Sequence, residues 1–225
     1  GAPRRLTWSQ LGDEVDRFCL LLLAEGIGRD EVMVVQLPNC VEQFVAYLAC
    51  ARLGIIATPV PIQYREHELA QILEISRASA ALSFSRIGKP EGGHAAARLF
   101  AGLRAEHPAL RTVFAWGDSA EPGMVDVAAR LRAQPGPDQL QQLAQAERAA
   151  AVTANDVFTI CWTSGTEASP KGVPRSHNEW LVIAPSIIEA GEIRDRARLL
   201  NPFPLINMAG LSTAFAAWLV LGGTV

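Results

Sequence analysis

The sequence predicts an α/β protein in which mostly parallel sheets are layered with helices on both faces. Three observations predict it. Short runs suited to strands, at 31–37, 55–60, 80–84, 112–116 and 157–163, alternate with stretches whose apolar residues recur at helical spacing, the pattern of βαβ units. The first of these runs is β-branched and apolar, as expected of a strand covered on both faces. A chain of 225 residues that is 49% hydrophobic and 19% charged can bury the core such layers need.

Element by element, the first helix is expected over 11–24. Val15, Phe18, Cys19, Leu22 and Leu23 share one side of it, and Gly26-Ile27-Gly28 ends it. A strand at 31–37 leads to the Pro38-Asn39 turn. A helix at 41–52 buries Phe44, Tyr47 and Leu48, and Gly54 stops it before the strand at 55–60. The alternation continues with a helix at 66–77, a strand at 80–84, a helix at 95–106 and a strand at 112–116. Between 117 and 151, Pro122-Gly123 and Pro135-Gly136-Pro137 interrupt the pattern, and 139–150 reads as a polar, alanine-rich surface connector helix. A strand at 157–163 follows, then a Gly-containing loop. Ser176 with Glu179 three positions on forms a capping box that opens a helix to about 189. A strand at 199–203 and a helix at 211–221 complete the order. The expected organisation is a first βα unit over 1–150, connector included, and the start of a second over 151–225.

Charge and cysteine usage exclude several classes. Twenty basic and 23 acidic residues leave a net charge of -3, which gives no electrostatic drive toward nucleic acid or an anionic membrane. Cys19, Cys40, Cys50 and Cys161 have neither C-x-x-C spacing nor a histidine cluster beside them, so no zinc site or disulfide framework is indicated and a reducing, cytoplasmic compartment is expected. The apolar runs at 18–24 and 214–221 are too short to cross a bilayer, and no signal segment is expected. The opening Gly1-Ala2-Pro3 and the closing Gly222-Gly223-Thr224-Val225, a turn leading into another strand, read as the ends of a fragment truncated after 225.

The chemistry is concentrated in one loop, Thr163-Ser164-Gly165-Thr166-Glu167-Ala168-Ser169-Pro170-Lys171-Gly172, expected between a strand and a helix. Glycine lets backbone N–H groups approach phosphate oxygens, hydroxyls donate to them, and a lysine offsets their charge. An ordinary polar turn has a similar composition. A Walker A loop is excluded, since Lys171 precedes Gly172 and Val173 follows where that motif needs Gly-Lys-Ser/Thr.

Preceded by Trp162 and followed by Val173, this loop resembles the signature of the adenylate-forming superfamily, which includes acyl-CoA synthetases, aryl-acid ligases and peptide-synthetase adenylation domains. That signature is an aromatic residue followed by Thr-Ser-Gly-Thr-Thr-Gly-x-Pro-Lys-Gly-Val. Similar blocks occur at Leu6-Thr7-Trp8 to Leu11, at Val34 to Asn39, and from Gly54 to Pro61 with Tyr64 and Glu68-Leu69, so the resemblance spans nearly the whole chain. It implies the partial N-terminal domain of an adenylate-forming enzyme. It also implies that Ser164, Gly165, Thr166 and Lys171 contact the β- and γ-phosphates of ATP, with Thr163 and Gly172 flanking them and Thr166 and Lys171 in the catalytic role. In the reaction so implied, a carboxylate attacks the α-phosphorus and pyrophosphate leaves, with Mg²⁺ sharing the neutralisation of charge and coenzyme A as the expected acceptor.

Two positions depart from the signature. Glu167 and Ala168 stand where the family has Thr and Gly. A carboxylate roughly 5 Å from a phosphate oxygen would cost about 3 kcal/mol at an effective dielectric of 20, so Glu167 is expected to turn away.

The stretch Pro202-Phe203-Pro204-Leu205-Ile206-Asn207-Met208-Ala209-Gly210 resembles the family segment that lines the acyl pocket, with Asn207, Met208 and Gly210 implied at the acid. Asn207 occupies the usual His place, and it reads equally well as a turn residue. No acidic residue lies between 199 and 225, so a substrate ammonium would lack a partner there and an aliphatic or aromatic acid is expected. His177 is expected in the first helical turn beside the nucleotide, while His67, His94 and His107 read as surface residues and Phe203 and Met208 more often as core. The family's metal-binding Glu, ribose-binding Asp, hinge and C-terminal Lys cannot be located in these residues, so the fragment alone is expected to be inactive. Two alternatives stay open: a non-catalytic nucleotide-binding module, and transfer of the acyl group to a carrier protein.

Overall fold

The computed structural model describes residues 4–89, 93–117, 120–163 and 170–225. The first helix, α1, runs Trp8–Ala24 and starts three residues before the expected position because Thr7 and Gln10 form a capping box. Gln10 N–H donates to Thr7 Oγ1 at 3.2 Å and Thr7 N–H to Gln10 Oε1 at 2.9 Å, satisfying two otherwise orphan donors. Strand β1 (Val32–Gln36), helix α2 (Val41–Leu53), strand β2 (Ile56–Pro59), helix α3 (Glu66–Ser76), strand β3 (Ala80–Phe84), helix α4 (Ala96–Leu103) and strand β4 (Thr112–Trp116) follow in the expected order. Gly54 ends α2 at φ 69°, a left-handed cap that costs glycine little.

Within 117–151, strand β5 (Val125–Asp126), helix α5 (Val127–Arg130) and helix α6 (Pro137–Ala150) appear. Pro137, expected to break the pattern, is instead the first residue of α6, where its missing N–H has no intrahelical partner to lose. This helix is mostly exposed but buries Leu143 and Ala150, and Arg52 of α2 holds it by donating to Glu147 at 2.6 Å while also donating to Asp16 of α1 at 2.5 Å.

Among the described residues the seven strands form one sheet in the order β5-β4-β3-β1-β2-β6-β7, where β6 is Val157–Thr163 and β7 is Lys171–Ser176. Every neighbouring pair is parallel except β6 with β7. Successive residues of β1 point to opposite faces, so Met33 and Val35 join a core with α1 and α2 while Val34 joins a second core with α3 and α4. Helices on both faces of a mostly parallel sheet are the architecture the sequence predicts.

Beyond β7, the expected helix and the expected strand both differ. The helix opened by Ser176 is split into α7 (His177–Leu181) and α8 (Ile183–Ala190) at Val182. Pro185 explains the break, because it has no N–H to offer Leu181. The strand expected at 199–203 is absent. Pro202 and Pro204 remove ladder donors there, and only a single parallel bridge, Arg198 to Thr224, forms. Leu200 is left 93% exposed. The last helical stretch begins at α9 (Met208–Gly210), continues through π-helical turns at Leu211–Ala216 and ends as α10 (Ala217–Leu221). Phe215 ties it to α2, lying edge-on to Tyr47 at 5.6 Å, and to the sheet, stacked with Phe158 of β6 at 6.3 Å.

Candidate functional site

The loop expected to hold phosphates joins two antiparallel strands, not a strand and a helix. Pairing runs from Val157 opposite Ser176 to Thr163 opposite Lys171, so the two ends of the loop sit side by side. Lys171 and Gly172 therefore belong to β7, and the loop is backed by a hairpin in place of a helix N-terminus. Ser164, Gly165, Thr166, Glu167 and Ala168 lie outside the described residues, and the outward orientation expected of Glu167 falls there too. Thr163 and Lys171 are both exposed at the hairpin end, with Thr163 Oγ1 3.5 Å from the Lys171 carbonyl.

Gly172 is dictated by packing. A Cβ there would meet Ile160 Cγ2 at 2.8 Å and the Trp162 ring at 3.2 Å. Trp162 is itself pinned, since its Nε1–H donates to Thr58 Oγ1 at 2.7 Å and the Thr58 hydroxyl donates to the Ile160 carbonyl at 3.0 Å. The buried Thr58 of β2 thus fixes the aromatic residue that precedes the loop. Nothing in the periodicity of β2 singles it out, and a hydroxyl inside a fully buried strand was the available signal.

His177 is the first residue of α7, as expected, but it lies at the opposite end of the β6–β7 ladder from Thr163 and Lys171. Five residue steps along the strand lead from Lys171 to Ser176, about 17 Å at the usual rise, so His177 is not beside the loop. Its ring stacks on Phe158 at 5.1 Å, and burial holds its imidazole below the ordinary value, with Asp156 opposing. It lines an apolar cavity of about 460 Å³ together with Trp8, Leu11, Leu48, Leu181 and Leu219. His94 and His107 are also less exposed than expected. His94 Nε2 is buried without a partner among the described residues, and the His107 side chain is 11% exposed.

The second set of candidates forms one turn. Asn207 caps α9, its Oδ1 accepting from Gly210 N–H at 3.3 Å, so the turn reading of this residue describes what the fold makes of it. Met208 and Phe203 are 44% and 46% exposed, contrary to a core role. Gly210 is buried, and a Cβ on it would lie 2.1 Å from the Pro204 carbonyl oxygen. Glycine there lets α9 fold back onto the 203–205 backbone. No hydrogen bond joins this turn to Thr163 or Lys171 among the described residues.

Helix α2 and the turn before it hold that backbone through residues that periodicity does not single out as functional. Asn39 donates from Nδ2 to the Phe203 carbonyl at 2.8 Å and accepts Leu205 N–H at Oδ1 at 2.9 Å. Gln43 donates to the Leu205 carbonyl at 3.2 Å and to the Tyr47 hydroxyl at 2.9 Å, and Tyr47 donates to the same carbonyl. Burial pushes the Tyr47 phenol well above its usual value, so it remains a donor. Gln43 Oε1 is buried without a partner among the described residues, a deficit that costs about 1–3 kcal/mol. An amide and a phenol four residues apart on the buried side of a helix was a signal available in the sequence.

Burial pushes Cys19 and Cys40 up to about 12 and Cys50 higher still, which keeps them protonated. Among the described residues no three His, Cys, Asp or Glu side chains cluster as a metal site. No helix among them is long and apolar enough to cross a membrane.

A family model described as AMP-binding enzyme matches residues 1–225. A long-chain-fatty-acid–CoA ligase, FadD13 of Mycobacterium tuberculosis, is 29% identical over 93% of this chain and 37% of its own length. A 3-[(3aS,4S,7aS)-7a-methyl-1,5-dioxo-octahydro-1H-inden-4-yl]propanoyl:CoA ligase of the same organism is 32% identical over 99% of this chain and 41% of its own length. The chain thus spans about two fifths of these curated relatives. Among solved structures, the anthranilate CoA ligase AuaEII in complex with anthranoyl-AMP superposes with a TM-score of 0.81 at 18% identity, covering 98% of this chain and 39% of that one. This last likeness is one of fold.

Proposed function

Because the chain belongs to the AMP-binding enzyme family, we propose that the complete polypeptide activates a carboxylic acid with ATP. A carboxylate oxygen attacks the α-phosphorus, the bond from that phosphorus to the bridging oxygen breaks, and pyrophosphate leaves with the electron pair. The thiol sulfur then attacks the acyl carbon of the adenylate, with coenzyme A the acceptor named in its relatives; the carbon–oxygen bond to the phosphate breaks, AMP leaves with the electron pair, and the thiol proton is released to solvent. The attacking carboxylate is already ionised at neutral pH, so the first step needs no general base.

The observation that carries this reading is the hairpin that sets Thr163 opposite Lys171 at the two ends of the signature loop. It brings Thr163 and Lys171 together at the same exposed end of the ladder. In the proposed roles Lys171 and Thr166 neutralise and orient the leaving pyrophosphate, Ser164, Gly165, Thr163 and Gly172 hold the triphosphate, and Asn207, Met208 and Gly210 shape the acid site. The lack of acidic residues from 199 to 225 favours an uncharged acyl chain or ring over an amino acid.

Acid-dependent exchange of labelled pyrophosphate into ATP by the complete polypeptide tests the proposal. A panel of aliphatic and aromatic acids is expected to yield exchange with at least one, and Lys171→Ala to reduce it about a hundredfold or more, the scale on which loss of a single charge-stabilising donor acts. Glu167 and Ala168 motivate a second reading, a nucleotide-binding module without catalysis. Mg·ATP binding with no exchange for any acid would select it.

A further inference from the structure

Asn39 hydrogen-bonds to Phe203 and Leu205, and Gln43 and Tyr47 to Leu205, in a segment more than 150 positions away in the chain. Asn39 grips both sides of Pro204, donating to the carbonyl before it and accepting from the amide after it. Gln43 and Tyr47 converge on the next carbonyl, Leu205. From Leu205 the chain turns through Asn207 into α9, and Gly210 packs back against Pro204 at a distance no larger residue allows. The exposed side chains of Asn207 and Met208 therefore inherit their placement from the 203–205 backbone. On the far side, Phe44 and Tyr47 bracket Phe215 at 5.7 and 5.6 Å, so α2 also steadies the π-helical turns that follow.

Stability alone does not account for this arrangement. Gln43 is wholly buried with one oxygen left unpaired among the described residues, and an aliphatic residue would fill the space with no polar atom to satisfy. What the amide does is fix the Leu205 carbonyl in concert with Tyr47.

We propose that Asn39, Gln43 and Tyr47 are positioning residues for the acid: they set the 203–205 backbone and through it the rim formed by Asn207 and Met208, so they govern recognition of the acid and leave the nucleotide alone. The inference deepens the acid-site assignment made above and rests on it. The β6–β7 hairpin shares no hydrogen bond with Asn39, Gln43 or Tyr47 among the described residues, and where Tyr47 meets it, edge-on to Phe158 at 6.1 Å, the contact lies five positions before Thr163, so the effect falls on the acid and not on the loop.

The test is steady-state pyrophosphate exchange by the complete polypeptide, with the best acid from the aliphatic and aromatic panel. Asn39 is exposed, so Asn39→Ala is expected to fold. Its KM for the acid should rise about tenfold, with the KM for ATP within about twofold of the parent. Asn39→Asp keeps the acceptor for Leu205 N–H and loses the donor, and should fall between the two. In the same variants hydrogen exchange at 203–210 should quicken while α1 stays protected. Equal rises in both KM values, or no rise in the acid KM, would overturn the proposal. Asn207→Ala and Met208→Ala, run alongside, separate the causes. If they move the acid KM and Asn39→Ala does not, positioning by Asn39 and α2 is wrong and the acid site stands; if none of them moves it, the acid-site assignment falls and takes the proposal with it.

Discussion

Replacing Gly210 with alanine adds one methyl group at the tightest backbone contact of the candidate acid site. The new Cβ would lie 2.1 Å from the Pro204 carbonyl oxygen, 2.7 Å from its carbon and 3.0 Å from Leu205 Cα. The oxygen is more than an ångström inside the 3.4 Å at which ordinary contact begins, and all three neighbours are backbone. No side-chain rotation relieves it, so the 203–205 segment and α9 must separate. Four hydrogen bonds from Asn39, Gln43 and Tyr47 hold that segment, the longest already 3.2 Å, and a shift of an ångström breaks most of them. At a net 0.5–1.5 kcal/mol apiece, less up to about 1 kcal/mol of helix propensity gained by alanine, the loss is about 3 kcal/mol. That corresponds to a fall of roughly 6–12 °C in Tm for a chain of this size. Urea unfolding followed by tryptophan fluorescence measures it directly. A methyl group added at Gly12 in α1 would have nothing within 4 Å, so Gly12→Ala is the control and should gain up to about 1 kcal/mol. A Gly210→Ala protein within about 1 kcal/mol of the parent would refute the packing argument and the account of how α9 is placed.

Thr58→Val keeps the shape of a fully buried side chain but leaves Trp162 Nε1–H and the Ile160 carbonyl without their partner. A loss of about 2–3 kcal/mol is expected, whereas Thr58→Ser, which keeps the hydroxyl, should lose only about 1 kcal/mol; equal stability of the two variants in the same urea titration would contradict the role of Thr58. Burial holds the imidazoles of His177 and His94 below their ordinary 6.5, with Asp156 opposing in the first case and Arg65 and Arg86 adding to the effect in the second. The unfolded chain therefore binds more protons just below that pH, and stability should decline as pH drops from about 7.5 to 5.5. The carboxylates of Asp156, Glu179 and Glu68, held below their ordinary 3.8 and 4.5, add their losses only at lower pH. Thermal melts across the upper window check this, and His177→Gln should flatten the slope; a Tm that rises on acidification would count against buried neutral imidazoles.

Much of this protein is legible in its residues alone. The strands at Ala80–Phe84, Thr112–Trp116 and Val157–Thr163 match their expected bounds to the residue, the first two because runs buried on both faces carry few polar interruptions. The Ser176 capping box is legible for the same local reason: Ser176 Oγ accepts from Glu179 N–H at 3.2 Å, and Glu179 accepts from Ser176 N–H at 2.7 Å. Mismatches arise where distant partners decide the outcome. Lys171-Gly172-Val173-Pro174 has little strand propensity, yet it becomes β7 because β6 offers an antiparallel edge and Gly172 clears the Trp162 ring. Conversely, 199–203 has strand-like apolar residues, and its neighbourhood finds a single bridge at Arg198.

Residue order alone dictates the α/β class, the signature loop with its lysine and hydroxyls, and the absence of a carboxylate near the acid segment, since each depends on residue identity or on periodicity along a short stretch. It takes the packed chain to show that the loop hangs from a hairpin, that His177 lies at its far end, and that Asn39, Gln43 and Tyr47 grip residues 203–205. The grip on 203–205 depends on which groups meet across more than a hundred positions of chain, and the hairpin on how two edges pair around a loop. Local sequence carries no record of a contact whose two halves are each unremarkable until the sheet brings them together.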